Sequence, residues 1–509
     1  MSVAPKPTGR RPRVLIFVVA YEAEDKLQSV LERIPDSGSD LEVLVIDDSS
    51  MDRTFEVALR SADSHPLQVT VLATPENQGY GGNQKLGYAY AIKHGFDFVV
   101  LLHGDGQYAP ERIPDLLAPL VRGEADAVFG SRMMVKGGAR DGGMPLYKFV
   151  GNKVLTRAQN GLLKTALSEF HSGFRAYRVS ALSQIPFQFN ANAFHFDTEI
   201  IIQFLMAGFR ITEVPVPTFY GDEICRVNGI PYAWNVIKAT VRSRLHGLSV
   251  FYDRRFDIEG PTNRHYGLKL GYPSSHSAAL GTVPDDTHVL DIGCGPGDFA
   301  RELKKKGCSV DGADQFPPSD PTAFSQFQIW KDPDPLPYQL NDYSWVLLLD
   351  VLEQVSNPER FLDQLRSSSR SHDGTPKLLI TTGNVVFWIV RLQALIGNFN
   401  YGKRGILDRS HTRLYTFRSL RTLLRQCGFK VERVEGIPAP FPVALGLNWF
   451  SRALTNFNLF LIRISRGFFS FQILMVASPT PTLDALLDRT VESSAVRAAA
   501  IEQLIERGK

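Results

Sequence analysis

The chain has 509 residues, of which 44% are hydrophobic and 21% are charged, and its formal net charge is +3. These values are typical of a globular protein with two large or three smaller domains. The small net charge gives no bulk attraction to nucleic acid, so we expect no nucleic-acid partner.

Three further features of the sequence bear on where the protein works. No apolar run reaches about 18 residues, the length of a transmembrane helix. The four cysteines form no C-x-x-C pair, which argues against a disulfide framework or a zinc site and favours a reducing compartment. Residues 1–12 are basic and rich in proline but lack the apolar segment of a secretory signal, so we expect a disordered tail. These features predict a cytoplasmic protein, with peripheral contact to the inner face of the membrane left open.

Apolar, β-rich runs alternate with helical patterns through the first half of the chain. The predicted strands are Val14–Ala20, Leu41–Ile46, Val69–Ala73, Phe96–Leu102 and Ala127–Gly130. This alternation indicates an α/β fold with a mostly parallel sheet and helices on both faces. Ligands of such folds bind at the carboxyl ends of the strands.

Polar residues and glycines follow these strands where they end. They are Tyr21 and Glu22, Asp47 and Asp48, the segment Asn77–Asn83 with Gly79, Gly81 and Gly82, and the segment His103–Gln107 with Asp105. An acidic residue between glycines suits Mg²⁺ or Mn²⁺ bridging a diphosphate, because these ions share oxygen ligands with phosphates. Any one of these acids could instead cap a helix, as we expect of Asp52.

These motifs resemble those of family-2 glycosyltransferases of the GT-A fold, and especially the polyprenyl-phosphate sugar synthases. The resemblance covers residues 13–252, the predicted first domain, and includes SGFRAYR (Ser172–Arg178) and EVPVP (Glu213–Pro217). It implies an inverting transfer from a nucleotide-diphospho-sugar to a lipid-linked or glycan acceptor. It also implies that Asp48 contacts the nucleotide, Asp105 binds a metal–diphosphate and Arg175 lies near the acceptor or the sugar phosphate. The nucleotide-sugar site implied in this way comprises Tyr21, Glu22, Asp47, Asp48, Asn77, Gly79, Gly82 and Asp105.

Two roles in this half stay open at the level of sequence. His103 stands where the family has the first Asp of its D-x-D motif, so it would either ligate the metal or bond to ribose. Transfer to a hydroxyl needs a carboxylate base, for which Glu169, Asp197 and Glu199 are the candidates, with Asp222 and Glu223 as further options. Transfer to a lipid phosphate needs no base.

The segment Tyr232–Leu248 has an apolar stripe at helical spacing opposite Lys238, Arg242 and Arg244. We expect either a helix that packs on the sheet or an interfacial helix that touches anionic lipid. A charged, turn-like stretch follows, and residues 253–272 are predicted to be a linker.

The second half is organised around the segment Val289–Ala300, VLDIGCGPGDFA. A strand that ends at Asp291, three glycines and the start of a helix together predict a nucleotide-binding corner. Asp314 ends the next strand, about 20 residues on, where such folds bind ribose hydroxyls. The plain alternative is a tight turn without a ligand.

These residues resemble motif I and the acidic end of the second strand in class I S-adenosylmethionine-dependent methyltransferases, which have a Rossmann-like fold. The resemblance implies that residues 273–479 form a methyltransferase domain, with Asp291, Gly293 and Gly295 on the methionine part of the cofactor and Asp314 on its ribose. The cofactor site implied in this way comprises Asp291, Gly293, Cys294, Gly295, Gly297, Asp314 and Asp350.

Several elements complete the predicted second domain. His411 is the candidate base, because a neutral imidazole accepts a proton near pH 7. The insert Gly383–Leu407 and the apolar stretch Phe441–Ile464 lie where the family binds its acceptors. Residues 480–509 are predicted to form a peripheral C-terminal helix.

The sequence therefore predicts a bifunctional enzyme of cell-envelope glycan synthesis, with a glycosyltransferase followed by a methyltransferase. Two alternatives remain at this stage. One is a scaffold that binds nucleotides without turnover, and the other is an active methyltransferase joined to a degenerate glycosyltransferase-like binding module.

Overall fold

The computed structural model describes residues 11–35, 40–217, 228–247, 251–258, 267–367 and 376–481, and residues 486–487, 490 and 493–494. The chain divides into two compact units, one holding the described residues up to 258 and the other those from 267 onward. Asp222, Glu223, residues 1–10 of the predicted tail and most of the predicted C-terminal helix lie outside the described residues.

The first unit is built on a seven-stranded sheet with the order β3-β2-β1-β4-β6-β5-β7. All five strands predicted for this half are present, and β6 is antiparallel to both of its neighbours. The strands are β1 (Arg13–Ala20), β2 (Asp40–Asp47), β3 (Gln68–Ala73), β4 (Phe98–His103), β5 (Ala127–Ser131), β6 (Arg175–Arg178) and β7 (Ile211–Pro215).

Helices cover both faces of this sheet. They are α1 (Leu27–Glu32), α2 (Thr54–Ser64), α3 (Gly79–Lys93), α4 (Ile113–Val121), α5 (Gly138–Asp141), α6 (Leu146–Leu163), α7 (Val179–Leu182), α8 (Phe196–Ala207) and α9 (Gly229–Gly247). Strand β1 is buried on both sides because alternate side chains enter different cores. Ile16 and Val18 pack with α1 and α4, whereas Leu15 and Phe17 pack with α3 and α8.

The second unit has its own seven-stranded sheet, with the order β10-β9-β8-β11-β12-β14-β13. Strands β8 to β12 run parallel, and β14 is antiparallel to both β12 and β13. The strands are β8 (His288–Ile292), β9 (Ser309–Asp314), β10 (Gln326–Ile329), β11 (Trp345–Leu349), β12 (Lys377–Gly383), β13 (Phe429–Ile437) and β14 (Gln472–Pro479). The α/β class predicted for both halves is therefore confirmed.

Two apolar cores also flank the second sheet. The helices of this unit are α10 (Ser275–Thr282), α11 (Asp298–Lys305), α12 (Pro358–Ser367), α13 (Trp388–Leu395), α14 (Phe417–Gln426), α15 (Phe441–Leu445), α16 (Trp449–Ile464) and α17 (Arg466–Phe469). None of the helices in the described parts of either unit is both long and apolar enough to cross a bilayer.

The segment predicted as a linker is structured where it is described. Phe256 is buried in the first unit, and Arg255 pairs with the buried Glu199 of α8. Lys269 belongs to the second unit, where its ammonium group lies 3.6 Å from the Asp350 carboxylate. Contacts of this kind fix the two ends of the segment to the unit that each adjoins.

Helix α9 presents a different face to the protein from the one that its apolar stripe predicts. The buried residues are Val236, Ala239, Thr240 and Ser243, whereas Ile237 and Val241 of the predicted stripe are exposed. Thr240 and Ser243 donate their hydroxyls to carbonyls of their own helix, at 2.8 Å each, so their burial leaves no donor unpaired. The exposed side of α9 is therefore partly apolar.

A substitution at Gly87 tests the close packing of α3 against the sheet. A Cβ atom at this position would overlap the ring of the fully buried Phe17. Overpacking a core in this way costs about 1–3 kcal/mol, so Gly87→Ala should lower the free energy of unfolding of the first unit. Denaturant unfolding of the full chain measures the loss. Gly161→Ala in α6 is the control, because nothing lies within 4 Å of its new Cβ. Equal stability of the two variants would contradict the packing.

Candidate functional sites

A cleft of about 2240 Å³ opens in the first unit at the carboxyl ends of β1, β2 and β4. Parallel register brings these ends together, because Ala20 pairs with Asp47 and Val19 with His103. Of the residues predicted for nucleotide-sugar or metal binding, the cleft is lined by Tyr21, Glu22, Asp48, Asn77, Gly79, His103 and Asp105. Asp47 and Gly82 are not part of this lining.

Asp47 and Asp48 do different things although they are adjacent. Asp47 is turned inward and accepts the hydroxyl of Ser50, and burial raises the pKa of its carboxyl group. The Asp48 carboxylate accepts the backbone N–H of Gln78 at 2.8 Å and the hydroxyl of Thr74 at 3.1 Å. It therefore holds the start of α3 against the end of β2 and reaches the cleft from there.

The glycines at the start of α3 are needed for packing against the protein itself. A Cβ on Gly79 would lie 2.7 Å from the carbonyl oxygen of Asn192, and Gly79 also has a φ of +76°. A Cβ on Gly82 would lie 2.8 Å from the Cβ of Gln78. The close approach that these glycines allow is thus to the loop before α8 and to the preceding turn. For Gly82 this replaces the ligand contact that the sequence predicts.

Asp105 lies in the turn after β4 with 44% of its side chain exposed. One carboxylate oxygen accepts the N–H of Gln107 at 3.1 Å, and the other lies 4.0 Å from Nδ1 of His103. Among the residues that the structure describes, no three His, Cys, Asp or Glu side chains converge on a point where they could hold a metal by themselves. Mg²⁺ commonly binds through one or two carboxylates and the phosphates of its substrate, so a single cleft carboxylate fits such an ion.

His103 is tied into a hydrogen-bonded chain. Its Nε2 lies 3.1 Å from the hydroxyl of Tyr80, which donates to Asp197 at 3.1 Å. Burial lowers the pKa of His103, so the ring is neutral at pH 7. One ring nitrogen is therefore occupied by Tyr80, and only Nδ1 faces the side on which Asp105 lies.

Of the three candidate bases, only Asp197 lines the cleft. Its carboxylate accepts from Tyr80 and from the side-chain amide of Gln84, each at 3.1 Å, and lies 3.5 Å from the guanidinium group of Arg175. These three partners fix the orientation of the Asp197 carboxylate at the wall of the cleft.

The other two candidate bases are internal. Glu169 is 2% exposed and accepts from the backbone N–H and guanidinium of Arg132 and from Asn152. Burial alone would raise the pKa of Glu169, but Arg132 outweighs it and lowers the pKa. Glu199 is fully buried, pairs with Arg255 and accepts the N–H of Ala191 at 2.6 Å. Neither carboxylate lines the cleft.

Arg175 does not lie where the family resemblance implies. Its side chain is fully buried and donates to the carbonyl oxygens of Ser172, Asp197 and Phe170, at 2.6, 3.1 and 2.9 Å. It therefore anchors the loop before β6 to the start of α8. A direct contact with the acceptor is replaced by a supporting role.

The sequence did not identify the four Lys and Arg side chains that line the cleft, which are Lys26, Arg33, Arg132 and Lys148. Arg132 follows β5, and Lys148 lies in the first turn of α6. Arg132 is held in place by Glu169 and by the carbonyl oxygen of His171 at 3.1 Å. His171 and Tyr232 also line the cleft and bond to each other at 2.7 Å, and burial lowers the pKa of His171 to about 4.

In the second unit, the turn between β8 and α11 has the conformation that its glycines predict. Gly293, Gly295 and Gly297 have φ values of +74°, +58° and +94°. A Cβ on Gly293 would overlap Val351, and one on Gly297 would lie 3.0 Å from Phe324, whereas one on Gly295 would meet nothing within 4 Å. Only Gly295 therefore borders open space.

Two of the three acids predicted for the cofactor, Asp291 and Asp314, lie beside this turn. Asp314, at the end of β9, accepts the N–H of Gly295 at 2.9 Å and that of Phe316 at 3.0 Å. Asp291 is 2% exposed, and burial together with Asp314 raises the pKa of its carboxyl group to about 8. A buried acid beside an open glycine turn suits a positively charged ligand, which would relieve the cost of ionising it. S-adenosylmethionine fits this requirement through its sulfonium and ammonium groups. The Cys294 thiol is buried beside the same turn, which raises its pKa.

Asp350 and His411 lie at the same edge of the second sheet. Asp350, just after β11, accepts the side-chain amide of Gln472 at 2.7 Å and the hydroxyl of Thr381 at 2.9 Å. His411 precedes Thr412, whose N–H donates to the carbonyl oxygen of Glu353 in the loop after β11. The His411 Nδ1 lies 3.1 Å from the carbonyl oxygen of Ile406, so Nδ1 carries the proton and Nε2 is the acceptor in the neutral ring.

Comparison with known proteins assigns each unit. The family model "Glycosyl transferase family 2" matches residues 15–185, and the model "Methyltransferase domain" matches residues 268–434. The chain is 28% identical to the polyprenol monophosphomannose synthase of Mycolicibacterium smegmatis over 221 residues, which are 43% of this chain and 82% of that protein.

Two further relatives match the same half. Identity to the undecaprenyl-phosphate mannosyltransferase of Micrococcus luteus is 31% over 215 residues, or 42% of this chain and 85% of the relative. Identity to the UDP-N-acetylglucosamine–dolichyl-phosphate N-acetylglucosaminyltransferase of Methanococcus voltae is 27% over 220 residues, or 41% of this chain and 86% of the relative. The predicted pairing of two enzymes on one chain is confirmed: the chain belongs to glycosyl transferase family 2, with a GT-A domain in its N-terminal half, and carries a methyltransferase domain in its C-terminal half.

Proposed function

We propose that the first unit transfers a hexose from a nucleoside-diphosphate sugar to a polyprenyl phosphate, and that the second unit methylates a molecule of the same glycan pathway. The observation that carries the first part is the composition of the cleft. Carboxylates and an amide line it at the strand ends, whereas two cations and an apolar rim line it from α6, α9 and the loops beside them.

The apolar rim suits the prenyl chain of such an acceptor. Tyr147, Val154 and Ile230 line the cleft and are strongly exposed, and α6 packs against α9. Trp234 and Ile237 continue this exposed apolar surface along α9. Peripheral contact of this surface with the inner face of the membrane is part of the proposal.

The proposed reaction is a single, inverting displacement. An oxygen of the lipid phosphate attacks the anomeric carbon of the sugar, and the bond from that carbon to the nucleoside diphosphate breaks with its electron pair on the leaving group. The attacking phosphate is already an anion, so no general base is needed. Arg132 and Lys148 hold the acceptor phosphate, and Asp48 and Asn77 orient the nucleotide. Asp105 would hold a divalent cation, which would supply positive charge for the leaving diphosphate.

In the second unit, Asp291, Asp314 and the turn at Gly295 would hold S-adenosylmethionine, which would supply an electrophilic methyl group. The acceptor oxygen would bond to the methyl carbon while the carbon–sulfur bond breaks, and its electron pair would leave with S-adenosylhomocysteine. Nε2 of His411 accepts the proton of the hydroxyl that is methylated. Joining the two units on one chain raises the effective concentration of each site near the product of the other.

Replacing Asp105 tests the metal requirement. Asp105→Asn removes a charge without changing the size of the side chain, so Mn²⁺-dependent binding of a sugar nucleotide should weaken about tenfold or more, as expected for a lost charge-assisted contact. Calorimetric titration of the full chain with UDP- and GDP-sugars, with and without Mn²⁺, measures this. Asp115→Asn is a matched control, because Asp115 is 45% exposed and lies outside the cleft. Equal, metal-independent binding by all three proteins would refute the proposed role.

Replacing Lys148 tests the acceptor phosphate site. Lys148→Met keeps the length and apolar character of the side chain but removes its charge, so KM for polyprenyl phosphate should rise about tenfold while donor affinity stays unchanged. Steady-state assays with a short-chain polyprenyl phosphate give both values. Lys153→Met on the same helix is the control, because Lys153 lies over the ring of Phe149 and does not line the cleft. The proposal fails if both lysine variants behave alike.

Replacing Gly295 tests the cofactor site and the shared pathway. Gly295→Val fills the open space at the turn, so binding of S-adenosylmethionine should be lost, whereas Gly397→Val should retain it. Gly397 has a φ of +70° and equally open surroundings, which matches the backbone strain at Gly295.

A double-label assay tests the shared pathway. Given labelled sugar nucleotide, labelled methyl donor and an extract of lipid-linked acceptors, the native chain should form one product with both labels. Gly295→Val should form the same product without its methyl label, and two unrelated native products would contradict a shared pathway.

A further inference from the structure

Helix α16 of the second unit exposes apolar side chains and buries polar ones. Trp449, Phe457, Phe460 and Ile464 are between 57% and 80% exposed. The residues that it buries include Ser451, Thr455 and Asn458. An ordinary surface helix of a globular protein turns its apolar face to the core, so this orientation needs a reason.

The buried polar residues of α16 are fully engaged, which makes the orientation well determined. The hydroxyl of Ser451 donates to the carbonyl oxygen of Gly446 at 2.7 Å, and that of Thr455 donates to the carbonyl oxygen of Ser451 at 2.8 Å. Asn458 donates to the carbonyl oxygen of Phe469 at 3.0 Å and accepts the N–H of Ala439 at 2.9 Å. Rotating the helix to bury its aromatic side chains would break both bonds of Asn458, whose partners lie outside the helix, and would leave the Ala439 N–H without its acceptor.

Helix α13 shows the same reversal. Leu392 and Leu395 are 50% and 84% exposed, whereas Gln393 between them is 7% exposed. The flanks of the two helices pack together, because Phe387 and Val390 share a small apolar core with Ala439 and Phe471. The side-chain amide of Asn384 also donates to the carbonyl oxygen of Ser470 at 2.8 Å. We call the exposed apolar side chains of α13 and α16 the aromatic surface.

The segments that carry the aromatic surface leave the sheet at the same edge at which the predicted cofactor site lies. Gly383, the last residue of β12, pairs with Gln472, the first of β14, and Gln472 also pairs with Ile437 at the end of β13. The segments that follow β12 and β13 therefore both leave the sheet at this edge. Gln472 donates to Asp350 of the predicted cofactor site at 2.7 Å, which places the two features side by side.

The charge of these segments has one sign. Residues 384–407 and 436–471 contain no aspartate or glutamate, but they contain six cations: Arg391, Lys403, Arg404, Arg452, Arg463 and Arg466. Aromatic and aliphatic side chains beside cations alone match the interface of an anionic bilayer, where the apolar groups enter the acyl boundary and the cations meet phosphate. A protein partner with an acidic rim would satisfy the charge but would not require so many exposed aromatic groups.

We propose that the aromatic surface seats the methyltransferase unit on an anionic lipid bilayer, so that its methyl acceptor is a lipid-borne molecule presented at the membrane. This inference rests on methyl transfer by the second unit and assigns the class of its acceptor. It is independent of the membrane contact proposed for α6 and α9 of the first unit.

Quenching of tryptophan fluorescence tests where the bilayer lies. The chain has five tryptophans, and Trp330 and Trp345 are buried. In full-length Trp234→Phe, the exposed indoles that remain are Trp388 and Trp449, both on the aromatic surface. Vesicles of equal parts phosphatidylglycerol and phosphatidylcholine with brominated acyl chains should quench this emission. Pure phosphatidylcholine vesicles should do so less, and added salt should weaken the effect. Unchanged emission with the anionic vesicles would overturn the proposal.

A double substitution then tests the surface itself. In the same background, Phe457→Ser with Phe460→Ser should weaken vesicle binding, followed by quenching, about tenfold or more, because two aromatic rings no longer leave water. Val121→Ser is the control, since Val121 is 53% exposed at the end of α4 in the first unit and does not line the cleft. Calorimetric affinity for S-adenosylmethionine should be the same in all three proteins, and loss of this affinity in the unsubstituted chain would count against the proposed function instead.

Two other results would also overturn the proposal. One is a native dimer, detected by sedimentation, that dissociates on the double substitution, which would make a second copy of the chain the occupant. The other is a fall in thermal stability of the double variant without vesicles, which would show that the surface packs against another part of the chain.

Discussion

Both candidate sites depend on the alignment of parallel strand ends. In the first unit, β1 pairs in register with β2 and β4, which brings Ala20, Asp47 and His103 to one edge. In the second unit, β8 pairs with β9 and β11, which brings the glycine turn, Asp314 and Asp350 together. A register shift of one residue would turn the polar side chains toward the opposite face of the sheet, so neither site would form.

Buried ion pairs hold the loops around the first cleft. Glu169 with Arg132, Asp197 with Arg175 and Glu199 with Arg255 each join segments that are distant in the chain. Removing one partner of such a pair leaves an uncompensated buried charge, which costs about 3–5 kcal/mol. These carboxylates therefore shape the cleft, and of the three arginines that they hold, Arg132 lines it. An enzyme whose acceptor is already an anion has no need of a free carboxylate base.

Both units expose apolar side chains on helices beside their candidate sites. Each has a well-packed sheet with two cores and, beside its site, helices whose exposed faces are partly apolar. Helices α9 and α16 can expose apolar side chains because the serine, threonine and asparagine side chains on their buried faces bond to backbone carbonyls. A scaffold that only bound nucleotides would not need apolar surface at the rim of its cleft. The lipid-linked substrates that we propose for the two units account for it.

Sequence by itself determined the strands, the two α/β units and the chemistry-bearing turns, because these depend on local hydrophobic periodicity and on glycine and acid spacing. Asp48, Asp105, Asp291, Gly295 and Asp314 were found in this way. Only the tertiary structure decided which acids face a cleft: Asp47, Glu169 and Glu199 carry the same carboxylate as Asp105, but their burial depends on partners distant in the chain. Arg132 and Lys148 gave no strong local signal, since a cation in sequence says nothing of the cavity it lines. The exposed faces of α9 and α16 were likewise not predicted by periodicity, because the polar side chains that these helices bury find their hydrogen-bond partners only in the folded chain, which hydrophobic spacing does not show.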